Sequence, residues 1–134
     1  MNKHVAAATL LCLAAAPQAV AGCLSYGDRL TLTGKLIRQT FPGPPNFESI
    51  KDGDKPETGW YLILNRPLCM ASGESPLTEA PQAAVRRVQL ILTAEQYQTE
   101  RGRLDQRVTV TGEPWSEHTG HHHAPVLLSG VEFQ

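Results

Sequence analysis

Val108-Thr-Val-Thr-Gly112 and Pro125-Val-Leu-Leu-Ser-Gly-Val-Glu-Phe133 decide how this chain folds. Both are short, rich in Val, Leu and Thr and bounded by Gly or Pro, which is the composition of β-strands. Between them runs Ser116-Glu-His-Thr-Gly-His-His-His-Ala124, a polar loop with four of the chain's five histidines. Everything upstream reads as the scaffold that presents this loop.

Moving outward toward the N-terminus, Thr93 stands three residues before Gln96, the spacing of a capping box, and opens a helix of two to three turns that buries Tyr97 and Leu104 and loosens at Gly102. Before it, Val85-Arg-Arg-Val-Gln-Leu-Ile-Leu92 and Thr58-Gly-Trp-Tyr-Leu-Ile-Leu-Asn65 are strands, the latter ended by Arg66-Pro67. Asp28-Arg-Leu-Thr-Leu-Thr-Gly-Lys-Leu-Ile-Arg38 alternates apolar and polar residues at period two, as a half-buried strand does, with Gly34 at a bulge or bend. Residues 40–56 and 71–81, dense in Pro, Gly and Asp, are loops. The order is therefore strand, strand, strand, helix, strand, strand. An all-β chain with one short helix in that order matches the five-stranded OB-fold barrel, whose first–second and fourth–fifth loops flank one face. Period two puts Leu32, Leu36, Leu62, Leu64, Val88, Leu90, Val108, Val110, Leu127 and Val131 in one core.

Residues 1–21 carry a basic head (Lys3, His4), a charge-free apolar run and Ala19-Val-Ala21, the pattern of a secretory signal peptide. The apolar run is shorter than the roughly 20 residues of a membrane span. Residues 22–134 then form a single OB-like domain, periplasmic or secreted. Val20-Ala-Gly-Cys23 also fits a lipobox, so a lipoprotein anchored through Cys23 is the alternative. Cys12 leaves with the signal, and an even count of two, Cys23 and Cys69, favours one disulfide in an exported chain. Such a bridge closes a loop of roughly 45 residues and contributes about 3–4 kcal/mol by chain entropy. Lys3 leaves too, so 11 basic residues face 13 acidic ones and the formal charge becomes −2. That balance offers phosphates no counterion-release handle and argues against nucleic acid as partner.

Cys23-Leu-Ser-Tyr-Gly27, Phe41-Pro-Gly-Pro-Pro-Asn-Phe47, Val88-Gln-Leu90 and Thr119-Gly-His-His-His-Ala-Pro-Val126 together resemble a family of small exported bacterial proteins, domain of unknown function 4431. The resemblance runs over nearly all of residues 22–134. It implies an exported domain whose cysteines belong to the pattern, which strengthens the disulfide reading, and it carries over no catalytic role.

Two features bear on chemistry. In the His loop, neutral imidazoles of His118, His121 and His123 are ligands suited to zinc or copper if Gly120 turns the chain sharply; Glu117 is a weak further donor. On an extended chain His122 points away from His121 and His123. The bland alternative has these rings serving the loop's own hydrogen bonds. The Pro-rich 41–47 loop is stiff and flanked by Phe41 and Phe47, which either anchor a partner or cap the barrel. Trp60, Tyr61 and Trp115 offer stacking surface, although Trp60 and Tyr61 point oppositely along a strand. Asp52 and Asp54 alternate as in a calcium loop that lacks its closing Glu, and read as a turn. No Gly-x-Ser-x-Gly elbow is present, so a hydrolase is the weakest reading. The expectation is a non-enzymatic binding module that recognises a protein or a cell-envelope component through Phe41, Pro44, Phe47, Trp115, His118, His121 and His123. A periplasmic metal-binding protein using the His loop is its rival.

Overall fold

A computed structural model describes residues 22–134; the expected signal peptide, residues 1–21, lies outside the described residues. The elements are β1 (Leu30–Pro42), β2 (Pro56–Met70), β3 (Gln82–Leu90), α1 (Ala94–Thr99), a 3-10 turn (Arg101–Arg103), β4 (Arg107–Ser116) and β5 (Val126–Phe133). The five strands close into a barrel in the order β1-β2-β3-β5-β4, all antiparallel except the β3–β5 pair. That is the OB arrangement expected from the element order, with the helix between β3 and β4.

Closure rests on β1, which pairs with β4 over Leu30–Lys35 and with β2 over Gly34–Pro42. Gly34 stands where the strand passes from one partner to the other, and a Cβ there would overlap the Ile63 carbonyl. Only glycine admits that approach. Threonine pairs line the seams, with Thr31 and Thr111 hydroxyls 2.9 Å apart, Thr33 and Thr109 2.8 Å, and Thr40 and Thr58 2.7 Å.

The interior holds Leu36, Trp60, Leu62, Leu64, Val88, Leu90, Val108, Val110 and Val131 among others, with Leu32 packed against it from a partly buried position. One expected core residue is displaced. Leu127 is fully buried but faces away from the interior, which instead receives Val126 and Leu128. The cause is a bulge. From Thr111↔Glu132 to Glu113↔Ser129 the register slips by one residue, and Gly130 in the slip has φ +56. Side-chain parity therefore reverses along β5, and Leu128 and Val131, three apart, both point inward. A second correction concerns β2, which runs through Arg66-Pro67 to Met70 because the register with β3 shifts between Ile63 and Leu68 and takes the proline into a bulge. β3 begins at Gln82, earlier than the expected Val85.

The capping box is present in full. Thr93 Oγ1 accepts from the Gln96 N–H at 3.2 Å, and Gln96 Oε1 accepts from the Thr93 N–H at 3.0 Å. Gln96 also donates its amide to the Val131 carbonyl at 2.6 Å, and Tyr97 meets Trp60 edge-on at 5.3 Å, so the short helix plugs one barrel end. Cys23 and Cys69 are bonded, with Cα atoms 4.7 Å apart and a separation of 46 positions in sequence. Leu24 continues this attachment through backbone bonds to Cys69 and Ala71 at 2.8 and 2.9 Å. The bond occupies the sulfur that a lipid anchor on Cys23 would need.

Two outcomes test this architecture. Replacing Val110 by Asp buries a carboxylate with no partner and should abolish the cooperative thermal transition; a variant melting like the parent would contradict the face assignment. Reducing the Cys23–Cys69 bond should lower stability by about 3–4 kcal/mol on chain-entropy grounds, read from denaturant melts with thiol alkylation and intact mass as the check on the bond.

Candidate functional site

Strand parity and register build the site before any loop is considered. With Trp60, Leu62 and Leu64 inward, Glu57, Gly59 and Tyr61 face outward on β2. Phe41 lies opposite Glu57 across β1, while Gln89 and Arg87 of β3 lie opposite Tyr61 and Ile63. One outer patch thus collects Phe41, Glu57, Tyr61, Arg87 and Gln89.

The loop joining β1 to β2, residues 43–55, is held by one carboxylate. Buried Asp54 accepts the backbone N–H groups of Asn46 at 2.9 Å, Glu48 at 2.8 Å and Ser49 at 2.9 Å. Those N–H groups, Ser49 and Glu48 foremost, hold its carboxyl below the usual range against the opposing effect of burial. The Asp52/Asp54 alternation is therefore a turn organised by Asp54. At the loop base Gly43 donates to Lys55 at 2.7 Å and Lys55 donates to the Pro44 carbonyl at 2.8 Å, next to a cis Pro44–Pro45 bond. Phe47 takes φ 59, an uncommon backbone state for a residue with a side chain. It sets the ring against Gly120, where a Cβ would come within 3.1 Å, and edge-on to His121 at 5.2 Å. The two loops flanking the face are therefore in contact.

The loop joining β4 to β5, residues 117–125, divides its histidines between two tasks. Glu57 lies between His121 Nδ1 at 2.5 Å and His123 Nε2 at 2.9 Å. A carboxylate can only accept, so both imidazoles donate, which in the neutral rings leaves His121 Nε2 and His123 Nδ1 with lone pairs. Burial pushes the Glu57 carboxyl up, but the bonds from His123 and His121 and their nearby charge outweigh it and hold the group below its usual range. His123 stacks face to face on Phe41 at 4.7 Å. On the opposite side, His122 Nδ1 accepts from the His118 and Thr119 backbone N–H groups at 3.0 and 3.3 Å, and its ring meets Trp115 at 4.9 Å and His118 at 4.6 Å. His118 Nδ1 donates to the Ser116 carbonyl at 3.1 Å.

His122 thus points away from His121 and His123, as alternation along an extended chain requires. His118, however, sides with His122, so the expected trio His118, His121 and His123 does not gather for zinc or copper. Among the described residues no group of three or more His, Cys, Asp or Glu side chains is arranged to hold a metal ion. The physical reason is the placement of His118, whose ring lies against Trp115 and His122 and bonds the Ser116 carbonyl, on the other side of the loop from His121 and His123.

An open pocket of about 300 Å³ lies on this face, lined by Glu57, Thr58, Gly59, Tyr61, Gln89, His121 and His123. Tyr61 is fully buried, yet its hydroxyl has no hydrogen-bond partner. Burial pushes its pKa up to about 12, so the hydroxyl keeps its proton. It sits over Gly59, where an added Cβ would come within 2.8 Å of it. Arg87 lays its guanidinium over the Phe41 and Tyr61 rings, at 5.2 and 5.9 Å.

Of the residues singled out from sequence, Phe41, Phe47, His121 and His123 meet at this face. Trp115 and His118 lie with His122 instead, and Pro44 serves the loop base. Glu57, Gln89 and Arg87 were not anticipated, and Tyr61 only as a stacking surface. Counting by twos from inward Trp60 would have put Glu57, Gly59 and Tyr61 together, but nothing local pairs Glu57 with histidines 64 and 66 residues away.

His122 makes the loop sensitive to acid. Burial lowers its pKa from the ordinary 6.5, and the neighbouring charges of His118, His121 and His123 add to this. Its stabilisation is then complete above pH 6.5 and is lost as pH falls through the folded value, because only the neutral ring can accept two N–H groups. His122→Asn keeps an acceptor near the Nδ1 position and should flatten this part of the stability profile. His122→Ala should cost about 1 kcal/mol at neutral pH. Thermal melts across this pH range check both, and an unchanged slope in His122→Asn would contradict the assignment.

No helix among the described residues is long and apolar enough to cross a membrane. Comparison with curated proteins and with solved structures finds no match. A family model does match, over a segment holding the end of β3, the helix, β4, the His loop and β5. The resemblance to a domain of unknown function (DUF4431) holds over residues 87–133 of this chain.

Proposed function

We propose that this protein is a non-enzymatic OB-like binding module, periplasmic or secreted, which recognises a component of the cell envelope. The observation that carries the reading is the contact of the two loops over one pocketed face: Phe47 rests on Gly120 and His121, and the pocket opens between the His loop and the β2–β3 surface. In barrels of this architecture that face is the one that takes ligands. The Cys23–Cys69 bond suits an oxidising compartment. The disposition of candidate catalytic groups favours binding over turnover. His121 and His123 hold Glu57, and the Ser116 hydroxyl is buried and accepts the Ala80 N–H at 3.0 Å.

Co-sedimentation with isolated cell envelopes tests this reading. The wild-type protein should be retained. Gly120→Val, which forces a branched side chain into the Phe47 ring and parts the two loops, should reduce retention several-fold. Glu95→Gln, on the helix at the far barrel end, should be retained like wild type. Equal retention of Gly120→Val and wild type, with both folded by thermal melt, would remove the face from the account.

A further inference from the structure

The polar atoms around the pocket define a chemistry for its occupant, on the premise that this face binds a ligand at all. The Tyr61 hydroxyl, fully buried and without a partner, is both donor and acceptor and stays protonated. In the neutral ring His121 Nε2 is an acceptor, because Nδ1 is the nitrogen that donates to Glu57. Each Glu57 oxygen keeps a second lone pair after accepting from one imidazole. The Gln89 amide Nε2 reaches only the His121 carbonyl, at 3.5 Å, and remains a donor in reserve. Gly59 carries no side chain between Glu57 and Tyr61, and the buried Tyr61 hydroxyl lies within 2.8 Å of where a Cβ on Gly59 would stand.

Donors and acceptors therefore alternate within a space of about 300 Å³ whose lining contains no Lys or Arg. A phosphate or carboxylate would face the Glu57 carboxylate with no Lys or Arg in the wall, since Arg87 lies outside the lining with its guanidinium against Phe41 and Tyr61. An apolar ligand would leave the Tyr61 hydroxyl unpaired. Groups that donate and accept at the same atom fit all of these positions, and closely spaced hydroxyls on a rigid ring are the common form of that chemistry. We infer that the pocket of Glu57, Gly59, Tyr61, Gln89 and His121 binds the hydroxyl edge of a neutral saccharide. One sugar hydroxyl accepts from Tyr61 Oη and a neighbouring one donates to His121 Nε2 or Glu57.

The test is titration of the disulfide-bonded, isotope-labelled protein with neutral oligosaccharides, N-acetylglucosamine and glucose oligomers, followed by nuclear magnetic resonance, with inorganic phosphate and an acidic peptide as comparison probes. A neutral saccharide should shift the resonances of Gly59, Gln89 and His121, and the comparison probes should leave them in place. Tyr61→Phe keeps the ring and removes only the hydroxyl, so it should melt no lower than wild type while weakening saccharide binding about tenfold or more, on the order of 1.4 kcal/mol. Gly59→Ala, which sets a methyl against Tyr61 Oη, should weaken it as well. Undiminished saccharide binding in folded Tyr61→Phe overturns the inference, as does a pocket that responds to phosphate or peptide alone. If no saccharide binds while envelopes still retain the protein through the same face, the saccharide is wrong and the binding-module reading stands with a protein partner. If neither binds, both fail.

Discussion

β1 pairs with β4 along its first half and with β2 along its second, and the barrel exists because one strand serves both neighbours. That double pairing requires the strand to bend at Gly34, where there is no room for a side chain. Once the ring of strands is closed, the inner face fills with Leu, Val and Trp60, and the outer faces of β1, β2 and β3 are committed to one continuous surface. The site inherits its geometry from this closure. Phe41, Glu57, Tyr61 and Gln89 come together because their strands are locked in register, before either flanking loop contributes a group.

The two loops that complete the site have no regular structure, and each is organised by one carboxylate. Asp54 gathers three backbone N–H groups of its own loop, and Glu57 gathers two imidazoles from the loop across the face. Both groups are held below the usual carboxylate range, the signature of an acceptor surrounded by donors. Charge-assisted bonds of this kind are stronger than neutral ones and fix direction as well as distance. The loops are thereby ordered relative to the barrel and, through Phe47 and Gly120, relative to each other. An ordered rim lowers the entropy lost when a ligand binds, which is the physical advantage of such a site over a mobile one.

Polar satisfaction around the outer face is uneven, and the unevenness is informative. Glu57, Asp54 and Ser116 have partners within the chain, whereas the Tyr61 hydroxyl, Arg87 Nε and Trp115 Nε1 are buried without them. All three belong to the outer surface of the barrel and its loops and not to the core cluster. Buried polar groups ordinarily find one. Of the three, Tyr61 is the one that lines the pocket.

Local periodicity determined much of this protein from the sequence alone. Alternation in residues 28–38 and 108–112, the Thr93/Gln96 spacing and the element order sufficed for a five-stranded barrel with one capped helix, and the pair Cys23 and Cys69 for its disulfide. These signals are legible because they depend on neighbours within a few residues. Alternation also sent His122 away from His121 and His123, for the same reason. What escaped was decided at long range or by parity. The Gly130 bulge turned Leu127 outward and Leu128 inward, a one-residue slip that composition does not record. Glu57 acquired its two imidazoles only because closure of the barrel brought β2 beside the loop after β4. A carboxylate's partners are set by which distant donors the fold delivers within about 3 Å, and that distance is a property of the tertiary structure.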